Sequence, residues 1–189
     1  MSQEETTNEQ FEQIKKICLD VFTKKMHDYG SAWRILRTSS LTDQIYIKAQ
    51  RIRSIQDKGT QKINEGVTPE FIGIVNYSVA ALIQLELGHV NQPDMKLNQA
   101  LEKYHFYYDK AKTLMQDKNH DYSEAWREMR VSSLADIIMM KLMRVKQIED
   151  NQGRTYISEG IDANFYDIIN YAVFALIKLE LEEQNKKNS

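Results

Sequence analysis

KMHDYGSAWRILRTSSLTDQIYIKAQRIRSIQD, residues 25–57, aligns without a gap on KNHDYSEAWREMRVSSLADIIMMKLMRVKQIED, residues 118–150, with 17 of 33 positions identical at an offset of 93. One added residue in the next loop moves the offset to 94. EGVTPEFIGIVNYSVAALIQLEL (65–87) then matches EGIDANFYDIINYAVFALIKLEL (159–181) at 13 of 23 positions. Two ordered blocks at half-identity make the chain a tandem repeat. The expected layout is a polar tail at 1–8, a first unit at 9–88, a polar linker at 89–98, a second unit at 99–184 and a polar tail at 185–189. Two copies are too few to stack as a solenoid, so a closed pair related by a pseudo-two-fold axis is the expected arrangement.

Each unit reads as helical. Phe11, Ile14, Ile17, Cys18, Val21 and Phe22 recur at helical spacing over 9–28, and residues 99–118 follow them with more aromatics. SAWRILR and SEAWREMR suggest a short kinked turn. Ser39–Ser40 and Ser132–Ser133, with Asp43 and Asp136 following, look like N-caps of helices at 41–57 and 134–150. The closing segments, about 69–87 and 163–183, are apolar almost all round and belong in the middle of a bundle. The fold class is therefore all-α, a helical bundle of two homologous units.

Composition narrows the function without giving it. Seven Gly and two Pro in 189 residues fit a few long helices and oppose a many-turned β architecture. A net charge of −2 gives no global reason to expect nucleic acid or an anionic membrane as partner. The single cysteine, Cys18, excludes an intrachain disulfide and a cysteine-based zinc site. The polar start MSQEETTNEQ lacks the apolar core of a signal peptide, and no long uninterrupted apolar run is present. A cytoplasmic location and no membrane partner are the expectations.

Polar residues retained in both copies are those that packing explains least. His27, Asp28 and Tyr29 pair with His120, Asp121 and Tyr122 at the end of the first helix of each unit. They could serve proton transfer or metal binding, or merely close the helix. Trp33, Arg34 and Arg37 pair with Trp126, Arg127 and Arg130. These would stack a base and hold phosphate, or else plug the kink while the arginines lie in water or pair with Asp. Asp43, Lys48 and Arg51, repeated as Asp136, Lys141 and Arg144, form one polar wedge on a helix. Asn76 and Asn170 interrupt apolar helices at the same place, either to hydrogen-bond across the axis or to face a polar pocket. Asp167 joins Asn170 and Tyr171 on one face of the second unit, whereas the first unit has Gly73 there.

The order K-x-x-D-Y, then D with K-x-x-R on a helix, then E-G leading through F-x-D to Y-A resembles the nucleotide modification associated domain of type 1. The match falls on Lys118, Asp121, Tyr122, Asp136, Lys141, Arg144, Glu159, Asp167, Tyr171 and Ala172, and in the first unit on Lys25, Asp28, Tyr29, Gly30, Asp43, Lys48, Arg51, Glu65 and Tyr77. Gly73, Ser78 and Ser123 depart from the pattern. The resemblance implies a bacterial protein with the domain duplicated, and a role in the metabolism or modification of nucleotides or of bases in DNA.

A looser similarity to MazG-like all-α nucleotide pyrophosphohydrolases would make Asp167 and Glu159 catalytic, holding Mg²⁺ or orienting water. The paired acids of those enzymes are not cleanly present: Glu9 and Glu12 have the spacing, but Glu12 aligns with His105. The expected ligand-binding set is Asp121, Tyr122, Trp126, Arg127, Arg130, Asp136, Lys141, Arg144, Asn170 and Tyr171, with Asp28, Tyr29, Lys48, Arg51 and Asn76 from the first unit. The second unit, which alone has Asp167, is expected to carry the more complete site. The competing class is a non-enzymatic helical module that binds a nucleotide, a nucleic-acid end or a protein. Beyond the internal pair, assembly into a homo-oligomer stays open.

Overall fold

The computed structural model describes residues 2–58, 63–122, 124–157 and 159–182, without the side chains of 3, 63–65 and 122. The expectations at Tyr122 and Glu65 therefore lie outside the described side chains. Six long helices form the molecule: α1 (Gln3–Tyr29), α2 (Thr38–Lys58), α3 (Ile63–Leu87), α4 (Leu97–Tyr122), α5 (Val131–Asp150) and α6 (Ile161–Leu176). Short 3₁₀ turns at Ala32–Ile35 and Ala125–Glu128 follow α1 and α4, and a π-helical turn, Ile177–Glu182, extends α6. Among the described residues there is no strand.

Within each unit the second long helix packs on the third, α2 on α3 and α5 on α6. Between units like meets like: α1 touches α4, α2 touches α5 and α3 touches α6. The apolar helices α3 and α6 lie at the centre, with Phe71, Ile74, Val75, Val79 and Ile83 facing Phe165, Ile168, Ile169, Val173 and Leu176 in one shared core. By length and composition Gly66–Leu87 could cross a membrane, but most of it is buried inside the bundle.

Three local expectations need correcting. Helix α1 runs back to Gln3, closed by a capping box between Ser2 and Glu5, so residues 3–8 belong to the helix and not to a tail. The serine pairs do not cap: α5 starts at Val131 with Arg130 as its N-cap residue and no side-chain bond there, while α2 starts at Thr38. The expected partners of those caps turn sideways instead. Asp43 meets Lys146 at 3.0 Å and Asp136 meets Arg53 at 3.4 Å, two equivalent ion pairs across the α2–α5 seam. Asp136 thus takes part in an exposed contact between the units.

The asparagines do not bond to each other. Asn76 Nδ2 donates to the Cys18 carbonyl at 3.0 Å, and Asn170 Nδ2 donates to the Ala111 carbonyl at 2.9 Å, so each ties its central helix to the first helix of its own unit. The link across the units comes from Tyr104, whose hydroxyl donates to Asn76 Oδ1 at 2.7 Å. The position equivalent to Tyr104 in the first unit is Phe11, which has no hydroxyl to offer. Asn170 Oδ1 is accordingly buried without a partner.

Candidate functional site

The retained arginine of each 3₁₀ turn is structural. Arg34 is buried and donates to Gln84, to the Gly88 carbonyl at 2.6 Å and to Asp94 Oδ1 at 2.9 Å, holding the linker against the turn. Arg127 donates to Glu124, Glu182, Thr7 and Gln10 at 2.6–2.9 Å. Four of its five N–H donors are thus spent inside the protein, which leaves Arg127 no pair of donors for a bidentate grip on phosphate. Trp126 is spent inside as well: the ring is 5% exposed and stacks on Phe174 with centroids 4.2 Å apart. Arg130, Asp28 and Asp121 are exposed and stand apart from the two hollows described next.

The first unit holds open space where the second is filled. A cleft of about 640 Å³ runs between α1, the 3₁₀ turn and α3. Val21, Phe22, Met26, Trp33, Leu36 and Ile72 give it apolar walls, and Lys25, Tyr29, Lys48, Glu70, Asn76 and Tyr77 supply its polar edge. This size falls in the range of small-ligand sites, and so does the mix of apolar wall with a few polar groups. Two substitutions between the copies fall on its wall. Ala80 lines the cleft where the second unit has Phe174, the ring stacked on Trp126. Gly73 lines it where the second unit has Asp167.

Asp167 is buried at 7% exposure, and both its oxygens are engaged: Lys118 Nζ at 2.5 Å from Oδ1 and Lys141 Nζ at 2.7 Å from Oδ2. Burial opposes the Lys118 charge, but the bonded Asp167 and the charge of Glu159 together push its pKa above the ordinary lysine value. Burial first, and the Asp167 charge second, push the Tyr171 phenol up. In the first unit the acid has moved one turn toward the helix start. Glu70, 7% exposed, meets Lys48 at 3.4 Å and Arg51 at 3.1 Å. Its counterpart, Asn164, donates to the Gly160 carbonyl at 2.9 Å.

Glu70 escaped the sequence reading, which looked for the acid only at position 73. The signal was present as an exchange: Glu70 with Gly73 against Asn164 with Asp167, one turn apart on the same helix face. Lys25 and Lys118 were also absent from the expected site set. Beside Asp167 lies a second hollow. Lys141, Arg144 and Glu159 line a polar groove of about 620 Å³ with Arg154 and Asn164, and neither Asp167 nor Trp126 is part of its lining. In the second unit the acid is held between lysines and the aromatic is buried, so the expected residues do not border one open space.

The residues present do not fit a Mg²⁺ site. Among the described residues no three of His, Cys, Asp and Glu converge. A cation at Asp167 would have to displace an ammonium from each oxygen it used. Burial pushes the Cys18 thiol far up, so it offers no thiolate nucleophile.

Two stretches, residues 25–85 and 118–179, each match the family nucleotide modification associated domain 1. No curated protein and no solved structure matches the chain.

Proposed function

The chain belongs to the nucleotide modification associated domain 1 family, carrying the domain in two tandem copies, and from that premise we propose that it binds a nucleotide or a phosphorylated base in the cleft of the first unit. One observation carries the reading. Six residues retained between the copies, Lys25, Tyr29, Trp33, Lys48, Asn76 and Tyr77, border the same space. A flat base would lie on the apolar wall, against Trp33 and Phe22, whose rings are 6.3 Å apart. Asn76 keeps one N–H free of its bond to Cys18 and so can read a base edge. Lys25 and Lys48 would neutralise phosphate at the mouth.

The donor set favours binding over magnesium-assisted hydrolysis, because the clustered acids that such hydrolysis needs are not assembled among the described residues. Calorimetric titration of nucleoside monophosphates and triphosphates, with and without Mg²⁺, tests the proposal. The decisive variant is Ala80→Phe, which copies Phe174 and fills the cleft. Binding to the wild type should fall at least about tenfold in that variant, a change of about 1.4 kcal/mol. If Arg144→Ala abolishes binding and Ala80→Phe does not, the ligand sits in the second-unit groove and the cleft reading falls. If no nucleotide binds at millimolar concentration, the chain is an interaction module.

A further inference from the structure

The second unit shows how this fold holds an anion. The two oxygens of one carboxylate each face their own lysine, at 2.5 and 2.7 Å, short distances of the charge-assisted kind. Lys25 and Lys48 occupy the equivalent places in the first unit, and both border the cleft. Between them the acid is missing. Gly73 stands there, in the interior of a long helix, where glycine costs about 1 kcal/mol relative to alanine. Close approach accounts for it: a Cβ at residue 73 would come within 2.7 Å of Lys48 Cε and 3.1 Å of its Nζ.

The first unit does not replace the missing charge in full. Lys48 reaches Glu70 only at 3.4 Å, long for a charged pair, while the other Glu70 oxygen is held by Arg51 at 3.1 Å. Lys25 forms no ion pair among the described residues. Arg51 can keep Glu70 while Lys48 turns toward a ligand. At position 73 two lysines border a backbone that lacks the sister unit's carboxylate, and the Lys48 stem lies where that side chain would begin, so an anion enters there as Lys48 swings aside.

We propose that an oxyanion subsite lies over Gly73, where a phosphate or carboxylate group of the ligand takes the position that the Asp167 side chain takes in the second unit. This rests on the cleft reading above and adds to it the chemical class of the ligand's charged end and the residues that receive it. The second unit then carries its anion as part of the chain, and the first must acquire one from solution.

The test compares a nucleoside, its 5′-monophosphate and inorganic phosphate, each titrated calorimetrically into the full chain and into Gly73→Asp. In the wild type the monophosphate should bind about ten- to a hundredfold tighter than the nucleoside, the range expected of charged hydrogen bonds. In Gly73→Asp the built-in carboxylate should erase that advantage and leave nucleoside affinity alone. Equal binding of nucleoside and monophosphate to the wild type overturns the subsite while the cleft reading stands. Binding of neither overturns the cleft reading. A phosphate-dependent rise in Tm that Gly73→Asp loses would then keep the subsite for a smaller anion, and its absence would remove that as well. Asp167→Gly checks the logic from the other side and does not depend on how Gly73→Asp folds. That variant should gain a larger phosphate-dependent rise in Tm than the wild type shows, and no gain counts against the subsite.

Discussion

The two units share half their residues and use them for opposite ends. In the second, Phe174 stacks on Trp126 and Asp167 sits between Lys118 and Lys141, so aromatic and charge are consumed internally. In the first, Ala80 and Gly73 stand at the same places, and the aromatic and the lysines face open space. The same backbone makes a core in one copy and a cleft in the other. The comparison teaches that retention of a residue between copies marks a shared position, while its function depends on the neighbour that was not retained.

The sharpest way to break the comparison is to empty the filled unit. Phe174→Ala removes a ring that touches both Trp126 and Phe11, and should cost about 3–5 kcal/mol in chemical denaturation. A cost near zero would mean that the second unit tolerates a cleft as well as the first.

The next contrast sets acid against acid. Asp167→Asn should cost about 2 kcal/mol, less than a fully buried pair because Lys118 is half-exposed and can rehydrate. Glu70→Gln should cost less than about 1 kcal/mol, since its Lys48 contact is long and Arg51 is largely exposed. Equal costs, measured as shifts in the urea midpoint at constant m, would show that the displaced acid does the same work as Asp167.

A further contrast concerns the asparagines. Asn76→Leu strands both the Cys18 carbonyl and the Tyr104 hydroxyl and should cost about 1–2 kcal/mol. Asn170→Leu strands only the Ala111 carbonyl and should cost less. Phe11→Tyr would sharpen the point, by giving Asn170 Oδ1 the hydroxyl that Tyr104 gives Asn76. A stabilisation of up to about 1 kcal/mol is expected, and a destabilised Phe11→Tyr would mean the ring cannot take the Tyr104 pose.

Much of the fold was legible because it depends on local pattern and internal repetition. The offset of 93 residues gave the units, helical spacing gave the long helices, and the apolar run around Val75 and Val173 gave the centre. What failed depended on partners distant in sequence. The serine pairs looked like caps, but Arg37 and Arg130 precede helices that begin before them. Asp43 and Asp136 looked like helix-start acids, yet their partners Lys146 and Arg53 lie on the other unit. An acidic partner for Arg34 was one of the readings, but nothing nearby in the chain says that the linker folds back to supply Asp94. The cleft was hidden for a related reason: it consists of what Ala80 and Gly73 lack.

The linker that Arg34 pins has a consequence for heredity. In a dimer of two separate identical chains, any mutation strikes both clefts at once, so one could not be filled with an aspartate and a phenylalanine while the other stayed open. Joining the copies through residues 88–96, tied down at Gly88, Val90 and Asp94, lifts that constraint. One gene can then hold a version of the domain that serves as buttress and another that is free to meet a ligand. The short tether lets two halves of one chain carry different residues at matching places, which two identical chains cannot do.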